Sequence, residues 1–254
     1  MTKLCWAACL GDCSNKISGE HVVSKGLFAD QSQIFVQGMS WCKDKPKQIG
    51  INNFTRRILC SKHNSELSGA DDAAIDTAEK FREAFRLYEV REALKPRIWA
   101  AQRFRVDVYG LERWFLKTLI NIVLGQDRLI GAEADFPGEP PHKLVEIAFG
   151  RKRFRERAGL YVFADVGQNI PHLERRVTVV TLSQPNIPSR LVGARFVLQG
   201  FTYLLCLDET GAPEGLTFVG SDGGTYVPSN VWYRKAHIKY EVHKRLSHTI
   251  DIVC

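Results

Sequence analysis

The sequence has no long uninterrupted apolar run. Its most apolar stretch, Trp114 to Leu124, is broken by Lys117 and Asn121 and falls far short of the roughly 20 residues that a membrane-crossing helix needs. The N-terminus, Met-Thr-Lys-Leu-Cys-Trp-Ala-Ala-Cys, has one lysine and no apolar segment of signal-peptide length before the polar Gly11-Asp12. No secretion signal is therefore expected, and the cytoplasm is the expected compartment. There is no internal repeat and no low-complexity tract, which excludes a solenoid or an array. Disorder is excluded too, because 44% hydrophobic with 25% charged residues is an ordinary globular composition. Acid is in short supply: 28 Asp and Glu stand against 35 Lys and Arg, a net +7. That balance favours a polyanionic partner.

The 254 residues divide into three unequal parts. Residues 1–75 are Cys-rich, Gly-rich and basic, with short β-like runs at Glu20 to Val23, Ile34 to Val36 and Ile49 to Ile51. That part is too small to fold on its apolar core alone. Residues 76–130 form a helical connector. Ala74, Ala78, Phe81, Phe85 and Tyr88 recur at alternating steps of four and three, the period of an amphipathic helix that ends before Pro96. A strand-like alternation follows in Trp99 to Tyr109, and then a helix from Leu111 to Leu124 that is apolar on nearly every side and so expected to be buried. Gln126 to Pro141, with its prolines, glycines and acids, reads as a loop. Residues 131–254 carry runs rich in Val, Tyr, Phe and Thr between Gly, Pro and Asp clusters, a mainly antiparallel β-rich domain. The expected class is α+β.

Seven cysteines in a reducing compartment, five of them in the first sixty residues, point to metal rather than a disulfide framework. Cys60 and His63 have the spacing at which one short turn presents two ligands to a tetrahedral zinc. Cys5, Cys9 and Cys13 lie upstream. Cys5, Cys13, Cys60 and His63 are the expected set, with Cys9 and Cys42 in reserve. A structural zinc would supply stability that so small a segment otherwise lacks.

Glu20 and His21 stand at the start of a β-branched run just after the cysteine cluster, and Cys60-x-x-His63-Asn64 leads into a helix. This order over roughly residues 5–75 resembles the HNH endonuclease family, a ββα-metal fold often held together by a structural zinc. The resemblance implies His21 as general base, Glu20 and Asn64 as ligands of one Mg2+ or Mn2+, and Asn53 (or Asn52) as the residue that orients His21. It implies hydrolysis of phosphodiester bonds in DNA, with a defence role as an extension. The gap between His21 and Asn64 is longer than in compact members, so Ala29 to Gln48 is expected to loop out as an insertion. A histidine that titrates near neutrality suits the role of base, and hard oxygen donors suit the small cation.

Lys43, Lys45, Lys47, Arg56, Arg57 and Lys62 gather positive charge around these residues, as a phosphate-tracking surface requires. Arg151 to Arg157 (RKRFRER) is a second cluster that reads first as a solvated face. Arg82, Arg86 and Arg91 alternate with Glu83, Glu89 and Glu92 and read as salt-bridged surface. His142, His172, His237, His243 and His248 have no ligand-spaced partners and read as structural. The Gly220 to Gly224 segment reads as a hairpin turn. Two rival readings keep the zinc: a catalytically inactive nucleic-acid-binding or regulatory protein, and a β-rich C-terminal domain that is itself the working part. No membrane partner is expected, and a homo-oligomeric or regulatory contact through that domain stays open.

Overall fold

The computed structural model describes residues 5–28, 33–95, 98–155, 158–163, 176–184, 186–198, 201–207, 218–220, 225–226, 231–233, 237–244 and 249–253. The class is α+β, with helices and a mixed sheet. Strand β1 (Ile17–His21) is followed by a 3-10 turn at Lys25–Phe28, then β2 (Gln33–Gln37), β3 (Lys47–Gly50), a 3-10 turn at Ile51–Asn53 and β4 (Thr55–Cys60). β1 and β4 pair antiparallel, with Ile17 opposite Cys60 and His21 opposite Thr55. Much of the expected insertion between them is ordered into the antiparallel β2–β3 hairpin.

Helix α1 (Ser61–Glu66) begins where β4 ends, because Cys60 acts as its cap: the sulfur accepts the backbone N–H of His63. After one residue, Leu67, helix α2 (Ser68–Ala93) continues. Its buried face is lined by Ala70, Ala74, Ala78 and Phe81, the spacing that marked it in the sequence. β5 (Gln102–Arg105) leads to α3 (Val108–Val123), where the Asp107 carboxylate caps the Gly110 N–H at 3.0 Å. All but two residues of α3 are buried. β6 (Leu129–Ile130) precedes a short helix not expected from the sequence, α4 (His142–Ala148), which starts directly after Pro141.

The C-terminal half supplies β7 (Gly159–Phe163), β8 (Arg176–Gln184), β9 (Ile187–Leu198), β10 (Phe201–Cys206), β11 (Phe218–Gly220), β12 (Thr225–Tyr226), β13 (Val231–Tyr233), β14 (His237–Glu241) and β15 (Thr249–Val253). β9 and β10 are paired antiparallel, with Phe201 opposite Leu198 and Cys206 opposite Gly193. Among the described residues the large sheet runs β12-β11-β8-β9-β10-β7-β13, and β2 joins it parallel to β8. That pairing crosses both expected boundaries, at 75/76 and 130/131, and β15 crosses the second again by pairing parallel to β5. One apolar cluster runs from Cys5 to Val242. At its centre Phe115 of α3 packs against Phe196 of β9 at 4.9 Å and Tyr203 of β10 at 4.7 Å between ring centres. α3 is thus the pillar between the sheet and the N-terminal unit.

No helix among the described residues is long and apolar enough to cross a membrane. His243 bonds to the C-terminal part of α2, with Nε2 3.0 Å from the Arg91 carbonyl and Nδ1 3.4 Å from the Glu92 carboxylate, a structural role. His142 pairs with Glu146 one turn along α4 at 3.5 Å. Arg82 and Arg91 donate to the carbonyls of Leu27 and Ala100, so both tie α2 to neighbouring chain. His172, His248 and residues 221–224 lie outside the described residues, as do Glu156 and Arg157 of the second basic cluster.

Candidate metal centre and the buried charge network beside it

Two sites follow from the β1–β4 pair. The first lies where β4 turns into α1. Cys60 is the last residue of the strand and His63 sits in the first helical turn, so both point to one side. Gly11 (φ 80°) and Asp12 (φ 55°) are two successive left-handed residues, and they turn the preceding chain so that Cys13 returns to Cys5. The ligand atoms of Cys5, Cys13, Cys60 and His63 all lie within 4.8 Å of one another. His63 Nδ1 is 3.3 Å from the sulfur of Cys5, 3.6 Å from that of Cys13 and 3.4 Å from that of Cys60. A tetrahedral zinc with Zn–S of about 2.3 Å and Zn–N of about 2.0–2.1 Å sets sulfur and nitrogen roughly 3.5 Å apart. The four side chains therefore form a Cys3His group that can hold a metal such as zinc.

The electrostatics of the group agree with that. Burial, together with the neighbouring sulfurs of Cys5 and Cys60, pushes the Cys13 thiol up to about 12. Burial opposes ionisation of Cys60 as well, but donation from the His63 backbone and from Ser14 outweighs it and brings that thiol down to about 7. Three sulfurs in one pocket cannot all ionise without a cation among them. Burial holds His63 below its ordinary value, hence neutral and able to ligate, and the ring also bonds to the Gly11 backbone. Phe149 packs edge-on against it at 5.4 Å, and Trp6 against Phe149 at 5.7 Å, closing the site from above. Cys9 is exposed and Cys42 is buried in the β2–β3 hairpin, both outside the group.

The second site lies at the other end of β1. Glu20 is buried and opposes Arg56, while half-buried His21 opposes Thr55. Lys117 of α3, 1% exposed, sends its ammonium 2.5 Å from Glu20 Oε1 and 2.6 Å from Asp71 Oδ1. Asn121, one turn on, donates to Glu20 Oε1 at 3.3 Å and accepts from Trp6 Nε1 at 3.1 Å. Ser24 donates to Asp71 and receives Trp114 Nε1 at 2.6 Å. A continuous polar chain thus runs Trp6–Asn121–Glu20–Lys117–Asp71–Ser24–Trp114 through the apolar core. Burial raises Glu20 above the usual carboxylate range, and Lys117 pulls it back.

His21 sits at the edge of this chain. Its Nε2 is enclosed and has no hydrogen-bond partner among the described residues. Burial first, then the positive charges of Lys25 and Lys117, hold the ring below its ordinary value against the opposing pull of Asp71. The imidazole is therefore neutral near pH 7.

Asn64 and Asn53, the other expected site residues, lie on α1 and in the turn before β4. Asn64 follows His63 in α1 and so sits at the Cys3His end, near the part of β1 that begins with Ile17. Asp71 of α2 is tied to this point through Lys117, whose ammonium it shares with Glu20, and its charge acts on His21. Asn53 is exposed in the 3-10 turn before β4, and the next residue, Phe54, accepts the backbone N–H of Val22 at 3.0 Å. Asn53 is thus near His21 in the backbone.

Asp71, Lys117, Asn121 and Ser24 were not among the expected site residues. The signal for two of them was present: Lys117 and Asn121 are four apart in a mainly apolar, buried helix and must share a face. Arg56, counted with the phosphate-tracking residues, is instead committed to the end of α3 through the carbonyls of Asn121 and Leu124. No protein-family model, curated protein or solved structure matches this chain.

Proposed function

We propose that this protein is an HNH-type endonuclease that hydrolyses phosphodiester bonds in DNA. The observation that carries the reading is His21: a neutral histidine at the end of β1, with one ring nitrogen enclosed and unpartnered, beside a buried carboxylate on a strand–strand–helix unit tied by a Cys3His group. A buried polar atom without a partner costs free energy and is retained where it serves a bound group. His21 acts as the base that takes a proton from water. Asp71, Lys117 and Asn121 fix Glu20 and set the charge around the imidazole. The zinc is structural, and it ties the end of β4 and the start of α1 to the Cys5–Cys13 loop. A role in defence against foreign DNA extends this reading.

A divalent Mg2+ or Mn2+ would stabilise charge on the scissile phosphate. The residues around Glu20 do not fit such an ion as they stand. Lys117 occupies the position between Glu20 and Asp71. An ion at Glu20 would have to displace the ammonium, so the requirement for one is open to experiment. The same Lys117 favours a second reading, a zinc-stabilised nucleic-acid-binding or regulatory protein without catalysis, in which the ammonium permanently replaces the ion.

Plasmid cleavage separates the two. The purified chain is assayed with and without Mg2+ or Mn2+, next to His21→Ala, Asp71→Asn and Asn64→Ala, with zinc content and circular dichroism as controls. Nicking or linearisation that is lost in His21→Ala with zinc and fold intact supports the nuclease. Binding without cleavage in every variant and every metal supports the second reading.

A further inference from the structure

The β2–β3 hairpin presents an aromatic side chain that no core requirement explains in full. Gly38 (φ 90°) enters its turn pressed so closely on β8 that a Cβ there would lie 1.6 Å from the Val179 carbonyl oxygen. The turn is closed by Cys42 N–H to Met39 O at 2.9 Å and by Gly38 N–H to Cys42 O at 3.0 Å. Trp41, the third residue of that turn, is therefore carried on a rigid support and yet is 45% exposed. One edge meets Phe54 at 6.5 Å, and Lys47 Nζ stands 5.6 Å from the ring centre. Lys43, Lys45 and Lys47 are all exposed around it, with Asp44 as the acid among them, and Phe35 on β2 is 40% exposed. Phe54, against which Trp41 rests, accepts the backbone N–H of Val22, the residue after His21. Phe54 thus links the turn that carries Trp41 to the end of β1.

We propose that Trp41 is a stacking platform for an unpaired base of single-stranded DNA, with Lys43, Lys45 and Lys47 on the neighbouring phosphates. This rests on the DNA-directed reading above and deepens it by naming the substrate class. An indole held in place and 45% exposed offers a π-surface to a partner, and lysines spaced along a hairpin suit regularly repeated anions. An unpaired strand offers both together, whereas in a duplex the base faces are already stacked on one another. Because the turn holds Trp41 in place before binding, little rotamer entropy is lost on contact.

The test is fluorescence anisotropy with the full-length His21→Ala protein and no added divalent metal, so that binding is read without cleavage. The probes are labelled oligo(dT), the same length of duplex DNA, and oligo(U), with competition by anionic phospholipid vesicles. The expected result is tighter binding of oligo(dT) than of duplex, reduced about 5- to 100-fold by Trp41→Ala and largely restored by Trp41→Phe. Lys45→Ala and Lys47→Ala should flatten the salt dependence. Unchanged affinity in Trp41→Ala, equal affinity for duplex, preference for oligo(U), or displacement by vesicles would each overturn the proposal. A wild-type protein that binds oligo(dT) through Trp41 but cuts nothing would end the nuclease reading and leave this surface standing.

Discussion

Lys117 Nζ lies 2.5 Å from Glu20 Oε1, although the two residues are 97 positions apart and both are almost completely buried. Asp71 receives the same ammonium at 2.6 Å. One positive charge thus serves two carboxylates from two elements, and it joins α3 to β1 and α2 at the point where His21 leaves the strand. Removal of one partner leaves uncompensated buried charge. Lys117→Met is expected to destabilise the protein by about 3–5 kcal/mol in chemical denaturation. Glu20→Gln combined with Lys117→Met should cost clearly less than the sum of the single changes. Additive costs would mean that the pair is not coupled.

The Cys3His group predicts which thiols matter. Cys5→Ser, Cys13→Ser and Cys60→Ser should each lose bound zinc and much of the melting temperature. Cys9→Ser and Cys42→Ser should keep one zinc per chain. Chelation of the wild type should expose the Trp6–Phe149–His63 stack and change tryptophan fluorescence, since structural zinc contributes folding free energy directly. Zinc loss in Cys9→Ser with retention in Cys13→Ser would reverse the assignment.

His21 predicts a pH dependence with a definite sign. Its folded value lies below the ordinary histidine value of about 6.5, so on acidification the unfolded chain takes up the proton first. The contribution of this group to stability is fully present above about pH 6.5 and is lost as pH falls below it towards the folded value. The same shift keeps the base form at lower pH. The acid limb of kcat/KM should have its midpoint below 6.5 in the wild type, and Lys25→Ala should move it upwards by removing a neighbouring positive charge. A midpoint above 7 would rule out His21 as the base in this environment.

Gly38 predicts a steric effect independent of function. Gly38→Ala places a methyl group against Val179 O at a backbone angle that L-residues rarely adopt. It should destabilise by at least about 1–3 kcal/mol from backbone strain, read as a drop in denaturation midpoint. It should also weaken oligo(dT) binding, because the turn that carries Trp41 must shift.

Much of this molecule was legible in the sequence, for reasons that differ by site. Cys60 and His63 were legible because two ligands in one turn leave a short-range spacing, and the central helix was legible because it is apolar on nearly every side. The Cys5 and Cys13 pairing was harder, since the loop between them closes through positive φ at Gly11 and Asp12 rather than through a fixed spacing. Helix α4 was missed because Pro141 and the preceding prolines read as loop, although proline before a first turn suits a helix start. The β2–β8 pairing could not be read, since partner choice between distant strands is decided by the sheet as a whole. The Glu20–Lys117 contact was hidden for the same reason. The polar positions in α3 showed that something buried had to meet them, but not what.

Both functional readings rest on one zinc bound by three sulfurs and one nitrogen, holding the β1–β4 pair to α1. X-ray absorption at the zinc edge of the purified full-length protein measures this directly. The expected result is one zinc per chain with three sulfurs at about 2.3 Å and one nitrogen at about 2.0–2.1 Å, the nitrogen contribution vanishing in His63→Cys. Absence of zinc from protein purified without chelator, or a first shell of oxygen in place of sulfur, would contradict it.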